Sequence, residues 1–185
     1  MSYNQPLAST TDYGTVKVGS GLSVTDGVIS ASTGILNYGF ATSSTAQTNP
    51  VANAVNKITY SAISPANGIS IGGGGNNLTV ANAGIYTQIF DLITTKSSGG
   101  TATLSLWLRR NGVDLPGSTQ ELQITNVLSI VFLSGNYTVQ LAAGDNIQAC
   151  WSCPDITVGF APIAAQTNPV RPTGYAVKTT LTRIS

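Results

Sequence analysis

TATLSLWLRRNGVDLPGS, Thr101 to Ser118, is the stretch that decides the fold class. Leu104, Leu106 and Leu108 alternate with Thr103, Ser105 and Trp107, the two-residue period of a strand with one face on a core. Asn111-Gly112 follows. Both residues tolerate positive φ, so the pair predicts a tight hairpin. The stretch holds no nucleophile beside a base, no set of metal ligands and no phosphate loop. Its information is architectural, and it points to a structural or binding protein.

The composition extends that reading along the chain. At 185 residues the length suits one compact domain plus a short arm. Hydrophobic residues make up 42% and charged residues 8%, about a third of the ~25% usual for globular chains. Ser, Thr, Asn and Gly carry the polar surface instead. Long solvated helices need Glu, Lys, Arg and Ala, whereas 20 glycines among many β-branched residues predict short strands joined by turns. The expected class is all-β, a two-sheet antiparallel sandwich over residues 34–185 preceded by an extended arm over residues 1–33.

Charge and hydropathy narrow the partners. The net charge is +1 and the basic residues are scattered, which is no footprint for nucleic acid. The N-terminus lacks a basic segment followed by an apolar run, and nowhere do about 18 apolar residues occur in succession, so neither a secretion signal nor membrane insertion is expected.

Catalysis has little to work with. The chain has no His, so hydrolases built on an imidazole base are excluded. Seven carboxylates remain, and the best placed, Asp114 and Asp145, sit in turns where Asp bonds neighbouring backbone amides. Cys150 and Cys153 have CxxC spacing. A zinc site needs about two more Cys or His ligands, which the chain does not possess. A redox pair belongs at a helix start, whereas Ile147, Ala149 and Trp151 predict a strand. Two thiols set in a low-charge sheet is the plain reading. No enzyme activity, catalytic residue, cofactor or metal is expected.

Gly84 to Ile93, GIYTQIFDLI, is apolar on both alternating faces: Tyr86, Phe90 and Leu92 on one, Ile85, Ile89 and Ile93 on the other. A strand apolar on both faces is usually covered on both. In a two-layer sandwich the second cover has to come from elsewhere, and a second subunit is the simple source. Val127 to Leu133, VLSIVFL, repeats the signal. Trp107 stands on the polar face of its own strand, where it serves either subunit packing or the stacking of a sugar. Tyr86, Phe90, Trp107 and Val131 are therefore the expected subunit interface. Lys57 to Ile63, Leu78 to Ala81, Tyr137 to Leu141, Ile147 to Trp151 and Tyr175 to Ile184 also read as strands, and Gly72 to Gly75 as a loop. Gln47-Thr48-Asn49-Pro50-Val51 recurs as Gln166 to Val170, which predicts two like corners.

Residues 1–33 differ from the rest: three strand-sized pieces punctuated by glycines, each too short to form a stable sheet alone. Within them ASTTDYGTVKVGSGLSVTDGVIS resembles a segment near the N-termini of bacteriophage head-fibre and tail-fibre proteins, where it serves attachment or trimer formation. That resemblance implies a capsid-anchoring arm carried by Tyr13, Val16, Val18, Leu22, Val24 and Val28, adding strands to a partner. A second resemblance covers most of residues 46–185. SLWLRRNGVDLPGS, Ala81-Asn82-Ala83-Gly84-Ile85-Tyr86 and Leu141-Ala142-Ala143-Gly144-Asp145-Asn146-Ile147, together with Cys150-Trp151-Ser152, resemble a family of phage and marine-virus structural proteins. It implies a jelly roll like the tumour necrosis factor and complement globular-head domains, which assemble as trimers. Together the two imply a virion structural protein of capsid-decoration, cement or head-fibre type, made in the host cytoplasm and displayed on the virion surface. Its partners would be itself, as a homotrimer, and other virion proteins such as the major capsid protein. The alternative they leave open is a tail-fibre adhesin that recognises a host surface glycan.

Overall fold

The computed structural model describes residues 22–25, 28–31, 36–125 and 130–185. The chain divides into two compact units, Met1–Ile35 and Leu36–Ser185. In the first, β1 (Leu22–Thr25) and β2 (Val28–Ala31) pair antiparallel, with Leu22 opposite Ala31 and Thr25 opposite Val28. Two of the three expected strand-sized pieces are this hairpin, and the first of them lies outside the described residues.

The second unit opens with β3 (Tyr38–Ser43), β4 (Gln47–Thr48), β5 (Asn56–Lys57) and β6 (Ala62–Asn67). β7 (Ile69–Gly72) and β8 (Asn77–Val80) form a hairpin across the glycine loop and lead into the long β9 (Gly84–Lys96). Then follow β10 (Ala102–Arg110), β11 (Val113–Asp114), β12 (Gln120–Ile124) and β13 (Ile130–Leu141). The chain closes with β14 (Asn146–Ser152), β15 (Val158–Phe160), β16 (Gln166–Thr167), β17 (Val170–Arg171) and β18 (Val177–Arg183).

Fourteen of these strands make two antiparallel seven-stranded sheets, and β16 with β17 forms a separate hairpin. In one, β9 lies between β13 and β18, β3 and β6 continue beyond β18, and β15 with β4 runs alongside the C-terminal end of β9. In the other, β10 lies between β14 and the pair β11 and β12, and β8, β7 and β5 extend the β14 side. From β8 to β15 the chain changes sheet between β8 and β9, β9 and β10, β12 and β13, β13 and β14, and β14 and β15. That alternation makes the sandwich a jelly roll, the expected class.

The alternating leucines of the opening stretch face inward: Leu104, Leu106 and Leu108 are all buried, opposite Tyr86, Phe90 and Leu92 of β9 and alongside Ile147, Ala149 and Trp151 of β14. The Trp151 and Phe160 rings meet edge to face at 4.8 Å, and Phe90 stacks on Tyr137 at 5.6 Å. Asn111 and Gly112 close the β10–β11 hairpin with φ of 52° and 83°. Both are positive, as the sequence predicts and as a primed turn requires.

Three local expectations fail. Val127 to Leu133 and Tyr137 to Leu141 read as separate strands, but over the described residues they are one, β13. Lys57 to Ile63 reads as one strand but is split: β5 pairs with β14 in one sheet, and β6 pairs with β3 in the other. Between them Tyr60 turns into the core and its hydroxyl accepts a hydrogen bond from Thr179 Oγ1. The repeated pentapeptide does not make two like corners. Gln47 is buried and exchanges hydrogen bonds with the Thr59 backbone, and Asn49 is buried against the carbonyls of Cys153 and Asp155. Gln166 and Asn168 stay exposed in the β16–β17 hairpin.

Candidate interaction surface

β9 carries the features that distinguish this sandwich. Its even-numbered side chains, Tyr86 to Lys96, are buried between the sheets, and its odd-numbered side chains lie on the outer face. Register then assembles that face row by row. Phe40, Thr180, Ile89 and Asn136 stand side by side across β3, β18, β9 and β13. Tyr38, Thr182, Thr87 and Thr138 form the next row, and Phe132 stands opposite Ile93, which is itself buried. Ile85, Ile89 and Phe132 are 39%, 43% and 63% exposed. The ion pair on this face joins Lys178 Nζ to Asp91 Oδ2 at 3.5 Å, and with both side chains in solvent it is worth about 0–1 kcal/mol. The face is thus an apolar and threonine-rich surface carrying very little charge.

Its margin is β13, paired with β9 along twelve residues and with no other strand among the described residues. Edge strands are usually protected by Lys, Pro, a bulge or a cover, because their free amides and carbonyls invite another strand. β13 reads IVFLSGNYTVQL and holds no charge and no proline. A side chain meets the edge at Gln140, whose carbonyl accepts from Arg110 Nη1 at 3.1 Å.

The four expected interface residues do not come together. Tyr86 and Phe90 are 0% and 1% exposed. The Tyr86 hydroxyl donates to the Asn82 carbonyl, and Phe90 stacks on Tyr137. They are core residues of one protomer, which corrects their assignment: alternation defines two faces of β9 but does not say which of two apolar faces turns inward. Val131 is half-buried on the inner side of β13, and its neighbour Phe132 is the side chain displayed. Phe132 is hidden in the sequence because the run VLSIVFL is apolar at nearly every position.

Trp107 lies on the outer face of the opposite sheet, half-buried. Its Nε1 donates to Asp114 Oδ1 at 2.6 Å, Arg109 Nε donates to the same oxygen at 2.6 Å, and the Arg109 guanidinium carbon is 5.9 Å from the indole centroid. The Arg109 hydrogen bond, joined by that of Trp107, holds the Asp114 carboxyl below the usual carboxylate range. Of the expected arm residues, Tyr13, Val16 and Val18 lie outside the described residues, Leu22 and Val24 fall on β1, and Val28 is 65% exposed on β2.

Cys150 and Cys153 are free and fully buried, and burial pushes both thiols up, away from the thiolate that redox exchange or metal binding needs. Asp145 caps its turn by accepting from Ala142 N and from Asn111 Nδ2, tying the β13–β14 turn to the β10–β11 hairpin. Among the described residues no group of three or more Cys, Asp or Glu is placed to hold a metal ion.

No family model and no curated protein sequence matches the chain. Solved structures do. The crystal structure of murine APRIL at pH 5.0 superposes with a TM-score of 0.51 at 10% identity, over 80% of this chain and 99% of that one. Murine APRIL at pH 8.5 and at pH 8.0 gives TM-scores of 0.49 at 10% and 11% identity over the same shares. At such identity the likeness is one of fold, and it agrees with the tumour necrosis factor-like jelly roll expected from the motifs.

Proposed function

We propose that the chain is a structural protein of a bacteriophage particle, of capsid-decoration or head-fibre type. Residues 1–33 anchor it to other virion proteins such as the major capsid protein, and residues 34–185 form a homotrimeric jelly-roll knob on the virion surface. The protein is made in the host cytoplasm and acts by binding, without catalysis or a cofactor. The phage assignment rests on the resemblances of the arm and of the strand motifs. The self-association rests on one observation: an outer face displaying Ile85, Ile89 and Phe132 runs up to an edge strand that itself holds no charged residue. Apolar surface of this kind is normally covered.

Light scattering at low micromolar concentration is expected to give three times the chain mass of 19.0 kDa. Ile89→Arg places a charge in the middle of the face and is expected to dissociate the assembly into folded monomers, a loss of at least about tenfold in association. A wild-type chain that stays monomeric at that concentration would sink the self-association. Particles assembled with a chain lacking residues 1–33 are expected to lose the knob, while the truncated chain keeps its oligomeric state. Retention on the particle would move the anchor into the jelly roll. A second reading, a tail-fibre adhesin for a host surface glycan, draws on Trp107, half-buried on the outer face of the opposite sheet. Negative-stain images of labelled protein on particles separate head from tail.

A further inference from the structure

The two outer faces of the sandwich are chemically unlike. Where the β9 sheet displays Ile and Phe, the β10 sheet displays one aromatic side chain, Trp107, set among hydroxyls and carboxylates. Ser105 on β10 stands directly opposite Ser152 on β14, and the loop from Leu115 to Thr119 between β11 and β12 forms a wall beyond them. Between wall and sheet lies an open groove of about 490 Å³, lined by Ser105, Trp107, Asp114, Leu115, Pro116 and Ser152.

The groove is built in advance. Trp107 is held by its hydrogen bond to Asp114 and by the Arg109 guanidinium over one face of the ring, so ordering the indole adds little cost on binding and a ligand must use the other face. Asp114 uses Oδ1 for both of those bonds, while Oδ2 has no partner among the described residues and the side chain is 61% exposed. Ser105 Oγ points toward Glu121, to which it donates at 3.3 Å. A flat apolar ring flanked by carboxylate and hydroxyl acceptors suits a ligand with one apolar face and a rim of O–H donors. Asp114 and Glu121 disfavour a phosphate or a nucleic acid. Leu115 and Pro116 offer too little apolar surface for a protein hot spot.

We propose that this groove binds a hexopyranose unit of a neutral saccharide, its apolar face on Trp107 and its hydroxyls donating to Asp114 Oδ2 and bonding to Ser105 and Ser152. This supplies a site for the glycan of the second reading above, but does not rest on where the protein sits in a particle or on its oligomeric state. Discrimination among sugars falls to the Leu115–Thr119 loop.

The chain's two tryptophans make the test direct. Trp151 is buried in the core, so its indole N–H resonance serves as an internal reference for that of Trp107. The full-length protein is titrated with methyl α-glucoside, methyl α-mannoside, methyl β-galactoside and N-acetylglucosamine to about 50 mM, since a single pyranose in an open groove binds on the order of 1 mM. At least one sugar is expected to shift the Trp107 resonance saturably and leave that of Trp151 in place. Asp114→Asn is expected to weaken that sugar at least about fivefold, and Trp107→Ala to abolish binding. Silence from all four sugars overturns the assignment, as does binding that survives in a Trp107→Ala protein whose Trp151 resonance is unchanged. Should Trp107→Ala not fold, Asp114→Asn decides, and undiminished affinity in that variant overturns it equally.

Discussion

Asp155→Ala is expected to lower stability by about 3–5 kcal/mol, a large share of the 5–15 kcal/mol of a typical domain. Its partner Lys96 is the last inward residue of β9, and its side chain is fully buried. Asp155 lies in the β14–β15 loop and meets the Lys96 ammonium, while its other oxygen accepts from Thr157 N at 2.9 Å and Thr157 Oγ1 at 2.7 Å. Removing the carboxylate leaves an ammonium in the core with no counter-charge, and that desolvation cost dominates the loss. Lys96→Met combined with Asp155→Ala is therefore expected to recover most of the stability, since the double variant removes both charges. Urea unfolding of the single and double variants measures the difference, and equal losses in both would discard the argument.

The same pair sets an acid limb. The Lys96 hydrogen bond, followed by those of Thr157, holds the Asp155 carboxyl at about 2 against an ordinary 3.8. A depressed carboxyl contributes stability in full above its unfolded value and loses it as pH falls through the folded one. The contribution is accordingly expected to fade between about pH 4 and pH 2. An Asp155→Asn protein shows a shallower decline across that window.

Gly135→Val is expected to cost about 3 kcal/mol or more. Gly135 is buried midway along β13, where a β-carbon would drive into the Phe90 ring and lie 2.9 Å from Gln120 Oε1. Phe90 cannot give way, because it is 1% exposed and stacked on Tyr137. Glycine in a strand interior marks such a close approach. Alanine meets the same ring with less bulk and is expected to cost about 1–3 kcal/mol. Thermal unfolding separates the series. Light scattering of the folded fraction then tests whether disturbing β13 also loosens the assembly, as expected if this edge lies in the contact.

Much of the architecture was legible locally. Alternation marked β9, β10, β14 and β18, and the Asn111-Gly112 hairpin followed from the backbone freedom of its two residues. The motif resemblance placed the jelly roll that the strand order and the murine APRIL fold bear out. The interaction surface was legible only in part. The run Gly84 to Ile93 announced that two faces would need cover. Tyr86 and Phe90 were nevertheless assigned to the wrong one, because a period of two is unchanged when the faces are exchanged.

By itself the sequence determined the strands, the tight turn and the excess of apolar side chains, since each depends on residues a few positions apart. Only the tertiary structure decided which face of β9 is core, since that depends on meeting Leu104, Leu106 and Leu108 across the sandwich. The burial of Lys96 against a residue 59 positions away is of the same kind. So is the contrast between the two copies of Gln-Thr-Asn-Pro-Val, one packed against Cys153 and Asp155 and one in solvent. Contacts distant along the chain set these outcomes, and local patterns carry no trace of which distant residues will arrive.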